Sequence, residues 1–436
     1  MQAIQVGLLG IGTVGSGTFN VLRRNQEEIK RRAGRGIEIV MVADLDTQRA
    51  RQIVGPDVQV VADAREVIAN PDIEIVVELI GGYGVARTLV LEAIAAGKHV
   101  VTANKALLAV HGTEIFEAAQ KKGVMVAFEA AVAGGIPIIK ALREGLTANR
   151  IQWLAGIING TTNFILSEMR DKGLDFDVAL KEAQRLGYAE ADPTFDIEGH
   201  DAGHKITIMS ALAFGTPVNF SACYLEGISK LDSRDIKYAE ELGYRIKLLG
   251  ITRRSEKGIE LRVHPTLLPE SRLLANVNGV MNAVRVNADM VGETLYYGAG
   301  AGALPTASAV VADLIDISRL ITADTENRVP HLAFQPSQVQ AQNFVGMDDI
   351  TSSYYLRVQV TDKAGVLGTI ANLLAKEGVS IEALIQKAVL DDNQAEIVIL
   401  THSTVERNVK TALRAIEALD SVGAPVTLIR MESLNG

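Results

Sequence analysis

The stretch Gly187–Lys205, GYAEADPTFDIEGHDAGHK, sets five acids (Glu190, Asp192, Asp196, Glu198, Asp201) and three bases (His200, His204, Lys205) within nineteen residues. The charges are interleaved with Gly, Pro and single apolar residues, unlike the block of like charges that marks a solvated acidic tail. Pro193 and Gly199 signal turns ahead of a helix expected to start near Asp201. On that helix Asp201 and Lys205 fall at i and i+4, on one face. The run KITIMSALAF that follows is apolar enough to be buried, so Lys205 sits at the mouth of a core helix. Burial lowers a lysine's proton affinity and a nearby carboxylate raises it, and that balance makes a lysine a proton donor or acceptor. A helix start decorated with a surface ion pair fits the same residues.

Chemistry of this kind needs elements that hold a second reactant. The apolar run Ile4–Leu9 meets Gly10-Ile-Gly12-Thr-Val-Gly15, and a helical pattern follows over Thr18–Ile29. The spacing G-x-G-x-x-G between a strand and a helix suits a turn whose backbone approaches a pyrophosphate at a helix N-terminus. A second strand, Ile37–Ala43, ends at Asp44, an acid placed to accept from a ribose diol. An ordinary strand–helix turn with a capping acid shares this pattern. Strands at Ile73–Ile80, His99–Thr102 and Val124–Phe128 alternate with helices at Thr88–Ala96 and Ile115–Lys122, which predicts a doubly wound parallel sheet of the Rossmann type. Ligands lie outside the carboxyl ends of such strands, so Lys105, three residues past the fourth, stands at the crevice edge. The small-residue segment Glu129–Pro137 can wrap a hard cation through backbone oxygens or make a tight crossover. Pro137 opens a helix, Ile138–Gly145.

An α+β region follows, with a strand at Ile151–Ile158, a polar turn Asn159–Asn163 capping the helix Phe164–Arg170, and a helix at Val178–Leu186. Ile259–Pro265 and Val280–Val286 read as strands of a sheet exposed on one side. A second glycine-rich turn, Tyr296–Thr306, precedes a helix over Thr306–Ile321 that can return to the first domain. Thr325–Asp349 is polar, contains Pro330 and Pro336, and reads as a linker. Then come a strand Tyr354–Val360, a turn at Asp362–Gly365, a helix Val366–Lys376, strands Ile381–Val389 and Ala395–Thr401 flanking Asp391–Asn393, a helix Val405–Ala418 and a strand Val426–Met431. This is the βαββαβ order of a ferredoxin-like unit. Its Gly365 turn suits a regulatory amino-acid site, and the unit also suits dimerisation.

The bulk numbers exclude several classes. A formal net charge of −9 with no strongly basic segment argues against a nucleic-acid or anionic-membrane partner. One cysteine, Cys223, leaves no disulfide or cysteine cluster and suits the cytoplasm. The first residues lack a basic region before the apolar run, so no signal peptide is expected.

GLLGIGTVG, TANKALLA, EAAVAGGIPII, NGTTNFIL, GYAEADPTFDIEGHDAGHK and YYGAGAGALPTAS together resemble the homoserine dehydrogenases, and TDKAGVLGTIANLLAKEGVSIE resembles an ACT domain. The resemblance spans essentially the whole chain. It implies NAD(P)-dependent interconversion of L-homoserine and L-aspartate 4-semialdehyde, with NADP or NAD as cofactor. It implies catalytic roles for Lys105 and Lys205, and substrate binding by Glu190, Asp196, Asp201 and Lys205. It implies cofactor contacts at Gly10, Gly12, Thr13, Val14, Gly15, Asp44, Lys105 and Gly302. It further implies a monovalent cation (Na+ or K+) at Glu129, Val132, Gly134 and Ile136, threonine as effector, and a homodimer or homotetramer. The expected partition is a dinucleotide-binding domain over 1–137 joined by the returning helix 305–325, a catalytic and dimerisation domain over 138–304, a linker over 326–350 and an ACT domain over 351–436. Two rivals stand beside it. In His200-Asp-Ala-Gly-His204 a metallohydrolase would have Asp for Glu and a helix weakened by Gly203. A non-catalytic metabolite sensor would leave the lysine–acid stretch without a reaction.

Overall fold

Short apolar strands punctuated by glycine and alternating with amphipathic helices can bury both faces of a sheet only by winding it in parallel. The computed structural model, which describes residues 2–324, 328–386 and 394–434, shows this at the start of the chain. The chain forms two compact units: residues 1–160, 201–223 and 280–342 make the first, and 161–200, 224–279 and 343–436 the second.

In the first unit β1 (Ile4–Leu9), α1 (Thr13–Arg24), α2 (Gln26–Ala33), β2 (Ile37–Ala43), α3 (Thr47–Val54), β3 (Gln59–Val61), α4 (Ala64–Ala69), β4 (Ile75–Glu78), α5 (Val85–Ala95), β5 (His99–Thr102), α6 (Lys105–Lys122) and β6 (Val126–Ala127) build a six-stranded sheet in the order β3-β2-β1-β4-β5-β6. The neighbouring strands pair in parallel throughout. The order reverses at β1, so the crevice at its carboxyl end is the switch point of the sheet. After α7 (Ile138–Lys140) come β7 (Ile151–Ile157), α11 (His200–Phe214), β11 (Met281–Ala288), β12 (Gly292–Ala299) and α13 (Ala303–Leu320). Here the strand order runs β12-β11-β7, antiparallel. Helix α13 returns to the parallel sheet: Ala309, Val310, Leu314 and Ile317 share one buried cluster with Leu8, Val42 and Val101.

The second unit holds α8 (Gly160–Lys172), α9 (Phe176–Arg185), α10 (Thr194–Ile197), β8 (Tyr224–Leu225), α12 (Ser233–Glu241), β9 (Tyr244–Ser255) and β10 (Gly258–Pro269). It continues through β13 (Thr351–Thr361), α14 (Val366–Lys376), β14 (Ile381–Gln386), β15 (Gln394–Thr401), β16 (Thr404–Val405), α15 (Glu406–Glu417) and β17 (Thr427–Met431). The ferredoxin-like order is present, with strands in the sequence β17-β13-β15-β14. Ile370 and Leu374 of α14 and Val409, Ala412 and Ile416 of α15 cover one face of the sheet. Its last strand does not end the sheet: β17 pairs in parallel with β10, Thr266 beside Arg430 and Leu267 beside Met431. Asp391–Asn393 and the end of the strand expected over Ile381–Val389 lie outside the described residues.

Several expectations are corrected. β10 and β11 are buried on both faces, not exposed on one. Their alternating polar residues suggested a wet face, but Arg262 is buried in ion pairs with Glu260 (2.9 Å) and Glu432 (2.7 Å). The segment read as a helix over Ile138–Gly145 makes one α-turn and then widens into a π-turn over Ala141–Gly145. The polar turn read at Asn159–Asn163 is helical from Gly160 onwards, because Asn163 turns inward to donate to the carbonyls of Val277 (3.1 Å) and Gly279 (2.9 Å). Lys105, expected three residues past the strand, is the first residue of α6. No described helix is long and apolar enough to cross a membrane.

Candidate active site

The glycine turn is built by steric exclusion. Gly10 has φ +93°, and a Cβ there would stand 2.9 Å from the carbonyl oxygen of Leu79. A Cβ on Gly15 would come within 2.2 Å of the Gly10 oxygen, so the helix can pack on the strand only without one. Gly12 caps α1 without a side-chain acceptor, the first turn carries no acid, and Thr13 is exposed there. The free N–H groups and the helix dipole therefore face outward as an anion site. Asp44 closes the other side: its Oδ2 accepts from the Ile11 N–H at 2.8 Å and its Oδ1 from the Asp46 N–H at 2.9 Å. A Cβ on Gly17 would come within 2.6 Å of the Ala303 oxygen, which puts the start of α13, capped by Gly302, against α1. Val14 is half-buried in that first turn.

Lys105 is positioned by a residue the sequence reading passed over. Glu78, fully buried at the end of β4, accepts from the Thr102 hydroxyl (2.6 Å) and the N–H groups of Ile80 (3.0 Å) and Gly81 (3.1 Å). Burial pushes its carboxyl above the usual range, against those hydrogen bonds. The Thr102 hydroxyl accepts from the Asn104 N–H at 3.0 Å, and the Asn104 side chain caps α6 at the Leu107 N–H, 3.1 Å away. The carboxyl ends of β4 and β5 are thereby tied to the residue that launches Lys105. The signal was visible, since an acid ending an otherwise apolar strand has to be satisfied inside.

Lys105 Nζ lies 2.8 Å from Asp201 Oδ1, and Lys205 Nζ lies 2.7 Å from Asp201 Oδ2. One buried carboxylate thus bridges two ammonium groups. Lys205 also donates to the Ile158 carbonyl at 2.7 Å, and Asn159 Nδ2 donates to Asp201 Oδ2 at 2.8 Å. Burial alone would favour protonated Asp201, but Lys205 and then Lys105 outweigh it and hold the carboxyl far below the usual range. The lysine side chains differ in access: Lys105 is 34% exposed and Lys205 10%. With all three groups ionised the cluster carries one surplus positive charge, a state that an incoming oxyanion would relieve.

In the segment Glu129–Ile136, Ala133 (φ 56°) and Gly134 (φ 53°) are successive left-handed residues that curl the chain. The Glu129 carboxylate accepts from the N–H groups of Ile139 (2.9 Å) and Lys140 (2.8 Å), capping α7, while the Glu129 N–H donates to Asp313 Oδ2 at 2.8 Å. Burial, and then Asp313, push the Glu129 carboxyl up to about 7. The Glu129 carboxylate is thus taken up by backbone N–H groups, which leaves backbone carbonyls as the other oxygen donors of this segment. A carbonyl donor set suits a hard monovalent ion.

Glu190 and Asp196 belong to the second unit. Glu190 is exposed, its carbonyl accepting from Gln184, and Asp196 lies half-buried in α10. His200 stacks on Phe195, and His204 meets Phe220 edge-on. Among the described residues no group of three or more His, Cys, Asp and Glu is arranged to hold a metal ion.

A switch-point crevice with an open helix N-terminus, beside two lysines on one carboxylate, defines a dinucleotide-dependent oxidoreductase architecture. Residues 10–129 match the NAD-binding domain of homoserine dehydrogenase, 137–315 match homoserine dehydrogenase itself and 354–421 match the ACT domain. The homoserine dehydrogenase of Neisseria gonorrhoeae is 73% identical over 435 residues, with all of both chains covered, and that of Pseudomonas aeruginosa is 59% identical over 437. A crystal structure of a homoserine dehydrogenase from Thiobacillus denitrificans superposes with a TM-score of 0.95 at 62% identity, covering both chains fully. A hyperthermophilic archaeal homoserine dehydrogenase in complex with NADPH gives a TM-score of 0.62 at 25% identity, covering 74% of this chain and all of that one. The chain belongs to the homoserine dehydrogenase family and is an enzyme of that family.

Proposed function

We propose that the protein interconverts L-homoserine and L-aspartate 4-semialdehyde with NAD or NADP, and that Lys105 and Lys205 handle the alcohol oxygen together. The observation that carries this is the sharing of Asp201 by both ammonium groups. In the oxidative direction the hydroxyl-bearing carbon gives up a hydride, which the nicotinamide accepts when bound. The hydroxyl proton must leave at the same time. Lys105, the more exposed of the two, first gives its own proton to solvent and then, as the neutral amine, takes the hydroxyl proton; Lys205, fixed by Asp201 and Ile158, stays charged and holds the oxygen. Release of one proton leaves the three-group cluster neutral, which favours that division in a buried site. Asp201 orients both lysines at the hydroxyl end of the substrate. Glu190, with Asp196 beside it in sequence, binds the substrate ammonium.

Gly10, Gly12, Thr13, Val14, Gly15 and Gly302 hold the cofactor, with Asp44 on its ribose and Lys105 at the nicotinamide. The fixed Asp44 carboxylate favours NAD and the nearby Arg49 and Arg51 allow NADP, so both are used. The NADPH held by the archaeal relative supports the second. Carbonyls of the Glu129, Val132, Gly134 and Ile136 segment hold Na+ or K+. The ACT domain over 351–436 makes threonine the effector, the catalytic region 138–304 makes a cytoplasmic homodimer or homotetramer, and the linker over 326–350 and the helix 305–325 complete the partition. Absorbance at the nicotinamide band tests the activity: homoserine reduces NAD or NADP, and threonine slows the reaction. Absence of homoserine-dependent reduction with either cofactor rejects the assignment.

A further inference from the structure

The chain passes from β12 into α13 through Gly298-Ala-Gly300-Ala-Gly302. Gly302 has φ 119°, a conformation that side chains resist, but Gly300 is not left-handed. Its missing side chain is explained by a neighbour. A Cβ on Gly300 would stand 1.9 Å from Nδ2 of Asn282, 2.1 Å from its Cγ and 2.5 Å from its Oδ1. The Asn282 amide therefore lies across the space that a side chain at position 300 would take. A Cβ on Gly134 would stand 2.5 Å from the Gly300 oxygen, 2.6 Å from the Gly300 carbonyl carbon and 2.9 Å from the Ala301 nitrogen. The peptide between Gly300 and Ala301 is thus laid flat against Gly134.

Both of these amides are short of partners. Asn282 is 1% exposed, and among the described residues neither its Nδ2 nor its Oδ1 has a hydrogen-bond partner. Among the same residues the Gly300 carbonyl and the Ala301 N–H take part in no hydrogen bond. A buried amide with both ends unpaired is costly, and leucine, of similar outline, would occupy the place without that cost. Here a side-chain amide and a main-chain amide, each with a free donor and a free acceptor, lie side by side. Rotation of the Gly300–Ala301 peptide, which glycine permits, turns its carbonyl onto Nδ2 or its N–H onto Oδ1.

The turn stands where a ligand acts on it. Gly302 caps α13, and the Ala303 carbonyl lies 2.6 Å from where a Cβ on Gly17 would be, against the helix whose open N-terminus is the anion site. Ala301 and Gly302 are exposed on the outer side. We propose that Asn282 is a positioning residue for the dinucleotide: when the cofactor enters, the Gly300–Ala301 peptide rotates and Asn282 takes it up, which fixes the turn beside the ligand. This rests on the reading of the switch-point crevice as the dinucleotide site. The unpaired amides disfavour the open turn and are relieved in the closed one, so the ligand gains from a difference already built into the free protein.

Hydrogen exchange, fluorescence titration with NADPH and NADH, and thermal unfolding test this together. In the unmodified chain saturating NADPH slows amide exchange over 298–302. Asn282→Leu binds both dinucleotides about ten-fold more weakly. The KM for dinucleotide rises by the same factor while kcat at saturation stays within about two-fold, the pattern of lost binding that is uniform along the reaction. The free variant melts no lower than the parent, because the substitution removes an unpaired amide. A residue that only packs would give the opposite result, with melting lowered and affinity kept. The proposal is overturned if exchange over 298–302 does not respond to NADPH, if Asn282→Leu binds NADPH as tightly as the parent, or if the variant melts lower. A chain that binds neither dinucleotide overturns the reading of the crevice and the proposal with it, a failure distinct from a dinucleotide that binds and leaves the turn unmoved.

Discussion

Two kinds of buried charge occur in this molecule, and they differ in arithmetic. In the second unit each buried arginine is matched by at least two carboxylates: Arg357 has Asp235 and Glu396, Arg262 has Glu260 and Glu432, and Arg430 has Glu406 and Glu226. In the first unit the ratio is inverted, with two lysines on the single carboxylate of Asp201. A matched cluster is saturated; its hydrogen-bonding groups are spent on one another, and it fixes how elements pack. A cluster one acid short keeps a cation that a substrate oxygen can complete. The second unit also shows what happens to a lysine given only uncharged partners. Lys247 donates to the Val277 carbonyl and the side-chain oxygens of Asn163 and Asn278, and burial draws its ammonium down to about 7.

The contrast makes predictions of opposite kind. Lys205→Met removes the surplus cation, and we expect kcat to fall by about 10³-fold with the circular dichroism and melting temperature little changed. Lys105→Met gives a loss of similar order, so a loss below about ten-fold in either steady-state assay would remove that lysine from the chemistry. Arg357→Met should do the reverse. It leaves Asp235 buried against the Tyr355 hydroxyl without its guanidinium, and chemical denaturation should show a loss of about 3–5 kcal/mol, with kcat of the remaining folded enzyme close to wild type. If Arg357→Met instead lowered kcat without loss of stability, the division between saturated and unsaturated clusters would collapse. The smallest effect concerns acid. The Asp201 carboxyl is depressed in the folded protein, so its contribution is fully present above the unfolded value of about 3.9 and is lost as pH falls below it toward the folded value. Asp201→Asn should flatten the stability curve in that acid range, and an acid limb as steep as wild type in urea titrations would contradict the bridging role.

The sequence carried some of this arrangement and hid the rest for identifiable reasons. The parallel sheet was legible because β1, β2, β4 and β5 are short apolar runs closed by glycine or by a helix cap. The pairing of Asp201 with Lys205 followed from helical spacing alone. β9 was invisible because its sequence, YRIKLLGITRRS, carries cations at both ends, and β12 because GETLYYGA merges with the glycine turn after it. Short β3 offered only three residues of signal. Glu78 and Asn159 were missed since each acts on a partner far along the chain, Thr102 and Asp201 respectively. The seam between β10 and β17 had no local signature at all, for it joins residues 164 positions apart, from Thr266 to Arg430.

That seam bears on how the polypeptide is made. At about 5–20 residues per second, a ribosome that has released β10 works for about ten to thirty seconds before β17 emerges to sit beside it. Throughout that interval the nascent chain exposes an unsatisfied strand edge, which invites holdase chaperones and makes premature termination near residue 425 an aggregation hazard.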